Sequence, residues 1–179
     1  MRFRAVAVAA LMLVPALADA RKPEDVFAGK IMIMRSRLPE HFRSAEDFIS
    51  QVKRSSLTTL WADKLGENKG KWKFEYIAFF SQPLDDLEVS LRFYDVTGGA
   101  RRFLAESQTF VSHRGDRMFG SNMTIGAPEF DPNKKLLITM ENRGRVLAQA
   151  NLIIRGEGPH YSGRVEFTDE EARIKDPGR

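Results

Sequence analysis

The segment SHRGD, from Ser112 to Asp116, contains the residue types of a nucleophilic relay. Such a relay needs a nucleophile and a base within hydrogen-bonding distance, and a third group that orients the base. Ser112 and His113 are adjacent, however, and adjacent side chains of an extended chain point to opposite sides. The sequence therefore favours a polar loop between strands, and a small hydrolase that uses His113 and Asp116 is the weakest of three functional hypotheses.

The remaining polar residues show no metal-ligand spacing. His41, His113 and His160 are far apart in the sequence, and the chain has no cysteine for thiol chemistry or thiolate metal sites. Asp86 and Asp95 could contribute oxygen ligands to calcium, but they flank one predicted strand. At about 3.3 Å per residue that strand separates them by roughly 30 Å, whereas calcium needs several oxygens around one point. We expect no catalytic residue, no metal site and no cofactor.

Lysines and aromatic residues alternate in the stretch NKGKWKFEY. Aromatic faces and ammonium groups together can bind sugar rings or anionic polymers. In a strand, however, alternate side chains point to opposite faces, so the pattern favours a buried aromatic row with a solvated lysine face. A carbohydrate- or anionic-polymer-binding module that uses exposed aromatic residues is the alternative function. Its candidate binding residues are Trp61, Trp72, Lys71 and Lys73.

A two-residue hydrophobic period dominates the chain and predicts half-buried β-strands. The period is clear over residues 72–80, 87–93 and 136–154, with turn-forming Gly, Pro, Asn and Asp between these segments. About seven to nine short strands at this spacing are typical of an antiparallel β-sandwich, with an immunoglobulin-like arrangement as the first choice. The sequence therefore predicts a mainly β fold.

A single short helix is predicted near residues 44–54. Ser44 is a favourable N-cap, and acidic residues occupy the first turn after it. Phe48, Ile49 and Val52 then fall on one helical face. We expect this face to pack against the sheet.

The stretch LLITMENRGRVLAQANLII, residues 136–154, predicts a β-hairpin with one buried face. A three-residue loop with glycine in the left-handed conformation would place Met140 opposite Val146. Glu141 would then lie opposite Arg145 on the solvent face, as an attractive cross-strand pair. The hairpin is a structural feature and offers no chemistry of its own.

The two ends of the chain differ in composition from the rest. Residues 1–20 combine a basic start, a short apolar run and small residues at their end, which is the pattern of a secretory signal peptide cleaved after Ala20. We expect residues 21–168 to form one β-sandwich domain and residues 169–179 a charged tail. The protein is thus predicted to be exported, to the periplasm or the extracellular space, without a transmembrane segment in the mature chain.

The charge pattern limits the range of partners. A formal net charge of +4, with both signs well mixed along the chain, disfavours nucleic acid binding, which usually requires a concentrated basic surface. The leading hypothesis is an exported, non-enzymatic accessory or protein-interaction module of a bacterial cell envelope, whose partner is an envelope protein or polysaccharide. Such a module could bind by strand addition at an exposed sheet edge. The segment Ala28–Met34 is the predicted edge, with Ile31 and Ile33 as candidate binding residues.

Overall fold

The strands of the protein form one curled, mixed β-sheet in the computed structural model, which describes residues 21–157. The prediction of a mainly β chain is confirmed. The sandwich and the immunoglobulin-like arrangement are not confirmed, because the described strands pair into one sheet. In chain order the elements are α1 (Pro23–Val26), β1 (Lys30–Met34), α2 (Ala45–Ser55), β2 (Thr59–Ala62), β3 (Trp72–Phe79), β4 (Glu88–Asp95), β5 (Arg102–Phe110), β6 (Met118–Ile125), β7 (Lys134–Asn142) and β8 (Arg145–Glu157).

The strand order is β5-β4-β7-β8-β1-β3-β6, and β2 also pairs with β8. Strands β1 and β2 run parallel to β8 and lie one after the other along the same side of it, β1 at Gln149 and β2 from Ile153 onward. The other pairs are antiparallel. Strands β5 and β6 are consecutive in sequence, yet they form the two opposite edges of the sheet. Within residues 21–157 neither edge has a further strand partner.

One face of the curled sheet, here called the inner face, holds the main hydrophobic core. Alternate residues of β3 and β4 point into it, as their two-residue period predicts. Because the sheet curls, strands from both halves contribute to a single cluster. Its largest fully buried side chains include Trp72, Phe74, Phe80, Phe93, Leu60, Leu91 and Leu136.

Helix α2 covers part of the opposite, outer face of the sheet. The Ser44 hydroxyl accepts a hydrogen bond from the backbone N–H of Asp47 at 3.2 Å, so the predicted N-cap is present. Ile49 and Val52 are buried against Phe79 of β3. The predicted helix is confirmed, and its apolar face fixes α2 over the outer side of β1 and β3.

The β7–β8 hairpin is confirmed, but its predicted register is wrong. The loop has only two residues, both with positive φ, 48° at Arg143 and 79° at the glycine after it, as tight hairpin turns require. This loop places Glu141 opposite Val146, and a bulge between Met140 and Glu141 then places Met140 opposite Ala148. The predicted pairs Met140–Val146 and Glu141–Arg145 are therefore not formed.

Some predictions lie outside the described residues. These are the signal peptide at residues 1–20, the end of the predicted domain at residues 158–168 and the tail at residues 169–179. Within the described part of the chain, no helix is long and apolar enough to cross a membrane.

Candidate functional site

The predicted edge strand at Ala28–Met34 is a central strand. Strand β1 pairs with β3 on one side and meets β8 on the other. Ile31 and Ile33 point into the core, with 5 % and 2 % of their surface exposed. The placement of this segment at an edge is thus wrong, because its apolar character reflects burial between two neighbours and not an uncovered surface.

The two tryptophans lie in opposite environments. Trp72 is buried on the inner face, and its indole N–H donates to the backbone oxygen of Arg155 at 2.7 Å. Trp61 is 45 % exposed on β2. Lys71 and Lys73 are exposed, so lysines and aromatic residues of β3 separate to opposite sides as the strand pattern predicts. Of the two candidate tryptophans, Trp61 is therefore the one that is accessible to a sugar ring.

The SHRGD segment forms an exposed loop before β6. The Nδ1 atom of His113 lies 3.9 Å from the Asp116 carboxylate, and the same carboxylate accepts the backbone N–H of His113 at 3.1 Å. Ser112 and His113 are exposed to solvent. The loop does not line the groove or the depression described below. The arrangement is that of a turn stabilised by an aspartate.

A groove of about 740 Å³ lies on the outer face, where α2 and the segment 37–42 stand over the sheet. Its floor consists of outward-pointing side chains from three neighbouring strands. Met34 of β1, Glu75 and Ile77 of β3, and Met118 and Asn122 of β6 belong to it. We call this feature the outer groove. Its volume falls within the range of known ligand sites.

The wall of the outer groove is built from irregular chain that α2 holds in place. Phe42 and Phe48 are in edge-to-face contact at 4.9 Å, which ties the segment 37–42 to the first turn of the helix. Leu38 and Pro39 complete the apolar part of the wall. This site was not predicted from the sequence, because the segment 37–42 resembles an ordinary connection between elements. Its apolar residues were the one feature that could have indicated a groove wall.

Gly120 opens the outer groove towards the free edge of β6. It lies opposite Ile77, and a Cβ atom placed on it would meet Ile77 Cγ1 and the backbone oxygen of Tyr76 at 3.7 Å, an ordinary contact distance. The position would therefore accept a side chain, and the absence of one keeps the floor low next to the edge strand. The groove and the unpaired backbone of β6 are continuous with each other.

Three charged residues line the outer groove. Arg37 and Glu40 form an exposed ion pair at 3.5 Å on its rim. Glu75 lies half-buried on the floor, opposite Asn122, and forms no ion pair or side-chain hydrogen bond within the described part of the chain. Since the other two charges neutralise each other, the groove presents one uncompensated carboxylate.

A second, shallower depression of about 380 Å³ is lined by acidic residues near the β7–β8 turn. Two of its three carboxylates, Asp86 and Glu141, are already engaged. Asp86 contacts Arg143 at 2.9 Å, and hydrogen bonds, first among them one from the backbone of Glu88, lower the pKa of Asp86. Glu141 accepts from Arg92 at 2.9 Å and from Thr139 at 2.8 Å. Arginines thus neutralise Asp86 and Glu141, and residues 21–157 contain no group of three potential metal-ligating side chains.

A comparison of the sequence with protein-family models and with curated proteins gave no match. The site must therefore be interpreted from its own geometry. That geometry consists of an apolar groove with one uncompensated carboxylate, open along a free strand.

Proposed function

We propose that the protein is an exported, non-enzymatic accessory module of a bacterial cell envelope that binds another protein through the outer groove. The observation that carries this proposal is the continuity of a groove of about 740 Å³ with the unpaired edge of β6. Strand addition at such an edge supplies backbone hydrogen bonds, and an adjacent groove supplies side-chain pockets. The signal-peptide pattern of residues 1–20 supports the export part of the proposal.

The chemistry of the groove supports binding over catalysis. The polar residues that border it within the described chain are an ion pair, a carboxylate, Tyr76, Ser121 and Asn122. Among residues 21–157 no histidine borders it, and Ser121 lies opposite Tyr76 in the register that points to the inner face. A nucleophile and base within reach of each other are the minimum for nucleophilic catalysis.

Site-specific photo-cross-linking in intact cells tests this proposal. A photoreactive residue at Asn122, on the groove side of β6, should yield a defined adduct with an envelope protein. The same residue at Gln108, on the opposite edge strand β5, is the matched control and should not. Equal adducts from both positions, or none from Asn122, would show that the outer groove is not the binding surface.

Trp61 supports a second candidate function, the binding of an anionic envelope polysaccharide. Arg35 pairs with Asp63 and donates to the backbone oxygens of Trp61 at 3.1 Å and Lys73 at 3.4 Å, so it links the two strands that carry the exposed indole and the exposed lysine. Titration with a purified anionic polysaccharide should quench tryptophan fluorescence, and Trp61→Phe should abolish that change. Trp72 is buried and serves as the internal reference, so an unchanged response in the variant excludes this site.

A further inference from the structure

We infer that the occupant of the outer groove is an extended peptide segment that pairs with β6 and places a lysine or arginine on Glu75. This inference rests on the proposed function and adds the chemical class of the partner. Three features carry it, namely the strand geometry of the edge, the uncompensated charge on the floor and the apolar surface around that charge.

The edge geometry selects an extended chain. Strand β6 has eight residues, and three of its four outward side-chain positions, Met118, Gly120 and Asn122, border the groove. A peptide strand added at the usual spacing of about 4.8 Å would satisfy the free N–H and C=O groups of β6. Its alternate side chains, about 7 Å apart, would then point to the outer side, where the groove lies. Gly120 leaves space for one of them.

The distance to Glu75 selects a long cationic side chain. Glu75 lies on β3, so a strand added beyond β6 would run about 10 Å from its backbone. Lysine and arginine are the cationic side chains that extend far enough to approach a carboxylate at that separation. An ammonium or guanidinium there would supply the partner that Glu75 lacks within residues 21–157.

The surroundings of Glu75 suit the aliphatic stem of such a side chain. Met34 lies opposite Glu75 on the floor, Ile77 is the next outward residue of the same strand, and Phe48 belongs to the wall. Lysine and arginine bury their methylene groups on apolar surface while the charged end meets its partner. Met118 lies further along the same edge and can accept an apolar residue of the peptide, so we expect basic and apolar residues at alternate positions of the peptide, those that point to the outer side.

Local charge argues against an acidic partner. Arg37 is paired with Glu40, so the one uncompensated charge among the described lining residues is negative. Lys73 lies one position along the same face from Glu75, but it is exposed to solvent and forms no ion pair with it. Opposite charge across an interface favours the matching partner and disfavours the wrong one.

Selection from a phage-displayed library of random twelve-residue peptides tests the inference on the protein expressed from its full coding sequence. Wild-type protein should enrich peptides with a lysine or arginine flanked by apolar residues two positions away. Glu75→Lys should instead enrich peptides with an acidic residue at the same place. A wild-type peptide should lose about tenfold in affinity for Glu75→Gln, the size expected for a half-buried charge pair.

Two variants on one strand separate the possible failures. Gly120→Trp should fill the groove and abolish enrichment, whereas Thr124→Trp, outward-facing on the same strand but outside the groove, should retain it. Equal enrichment with wild type and Gly120→Trp would overturn the proposed function. If the enriched peptides are apolar, require Gly120, and are the same for wild type and Glu75→Lys, only the cationic recognition is overturned. Circular dichroism of each variant checks that the fold is retained.

Discussion

The two edges of the sheet expose similar lengths of unpaired backbone but present different surfaces. Beside β5, the guanidinium of Arg92 contacts Glu106 at 3.1 Å, and Phe103 is in edge contact with Tyr94. Beside β6, the outer groove contains the unpaired Glu75. A free strand edge therefore does not by itself identify a binding site. A concave neighbour and an uncompensated charge distinguish the β6 edge.

The β5 edge is protected by its own charges. Hydrogen bonds from Ser90 and Arg92 lower the pKa of Glu106, which keeps it ionised and paired at neutral pH. Arg92 also contacts Glu141, so one cation links two carboxylates across three strands. Charged side chains on an edge discourage pairing with other chains. In the proposed function, the β5 side therefore contributes stability and the β6 side recognition.

The largest loss of stability is expected when a buried side chain next to β6 is removed. Trp72 is buried opposite Ile125 of β6, so Trp72→Ala should lower the free energy of unfolding by about 3–5 kcal/mol through lost burial and a cavity. Trp61→Ala, at an exposed position, should change it by less than about 1 kcal/mol. Urea denaturation measures both. Equal losses would mean that the two tryptophans do not differ in burial as described.

The second-largest loss of stability is expected in the ionic cluster on the β5 side, which consists of Arg92, Glu106 and Glu141. Glu141→Ala removes the carboxylate that accepts from Arg92 and from the buried Thr139 hydroxyl. We expect a loss of about 2 kcal/mol, since a buried hydroxyl then lacks its acceptor. Glu40→Ala breaks an exposed ion pair and should cost less than about 1 kcal/mol. Thermal denaturation of both variants checks the order, which a larger effect for Glu40→Ala would contradict.

The β4–β5 connection should show the clearest pH dependence. Hydrogen bonds from the side chain and backbone of Thr97, together with the ammonium of Lys134 at 3.2 Å, hold the pKa of Asp95 well below its usual range. A lowered folded pKa contributes stability above the unfolded value, near pH 4, that is lost as pH falls through the folded value. Asp95→Asn removes this contribution.

Melting temperatures of wild type and Asp95→Asn, measured from about pH 7 to pH 2, check this prediction. Wild type should be more stable by about 1.5 kcal/mol at neutral pH, the usual value of a hydrogen bond to a charged group. The difference should shrink below about pH 4. A difference that stays constant over the whole range would show that the charge of Asp95 is not what stabilises the turn.

Local features of the fold could be predicted from the sequence, whereas its long-range pairing could not. The period of β3 and the cap of α2 depend on neighbours in sequence, and both are confirmed. The place of β1 depends on which strands come to lie beside it, and its apolar residues fit a buried strand as well as an exposed edge. The predicted register of the hairpin failed because the loop has two residues instead of three and because Leu147 is an extra residue between the partners of Met140 and Glu141; neither feature leaves a clear trace in the hydrophobic pattern.

The candidate site was missed for the same physical reason. Glu75, Gly120 and Leu38 are far apart in sequence, and each has an ordinary role in its own segment. They meet only because β6 returns to pair with β3 and α2 holds the segment 37–42 above both strands. Trp61, in contrast, was among the candidate binding residues predicted from the sequence. An aromatic residue in a short predicted strand can be recognised without knowing which strands pair.

The smallest loss of stability is expected for a change that acts on the wall of the outer groove alone, and this change tests whether the two sides of the sheet open independently. Ser44→Ala removes the hydroxyl that accepts from Asp47 and should cost about 1 kcal/mol. Phe48 lies in the same first turn and holds Phe42, so fraying there should loosen the wall. Ser44→Asp keeps an acceptor and is the control. In hydrogen exchange the amide of Phe48 should lose protection in Ser44→Ala, while amides of β4 and β5 stay unchanged. A uniform loss of protection would mean that the wall and the β5 side open as one unit, and the division of the outer face into a recognition side and a stability side would then fail.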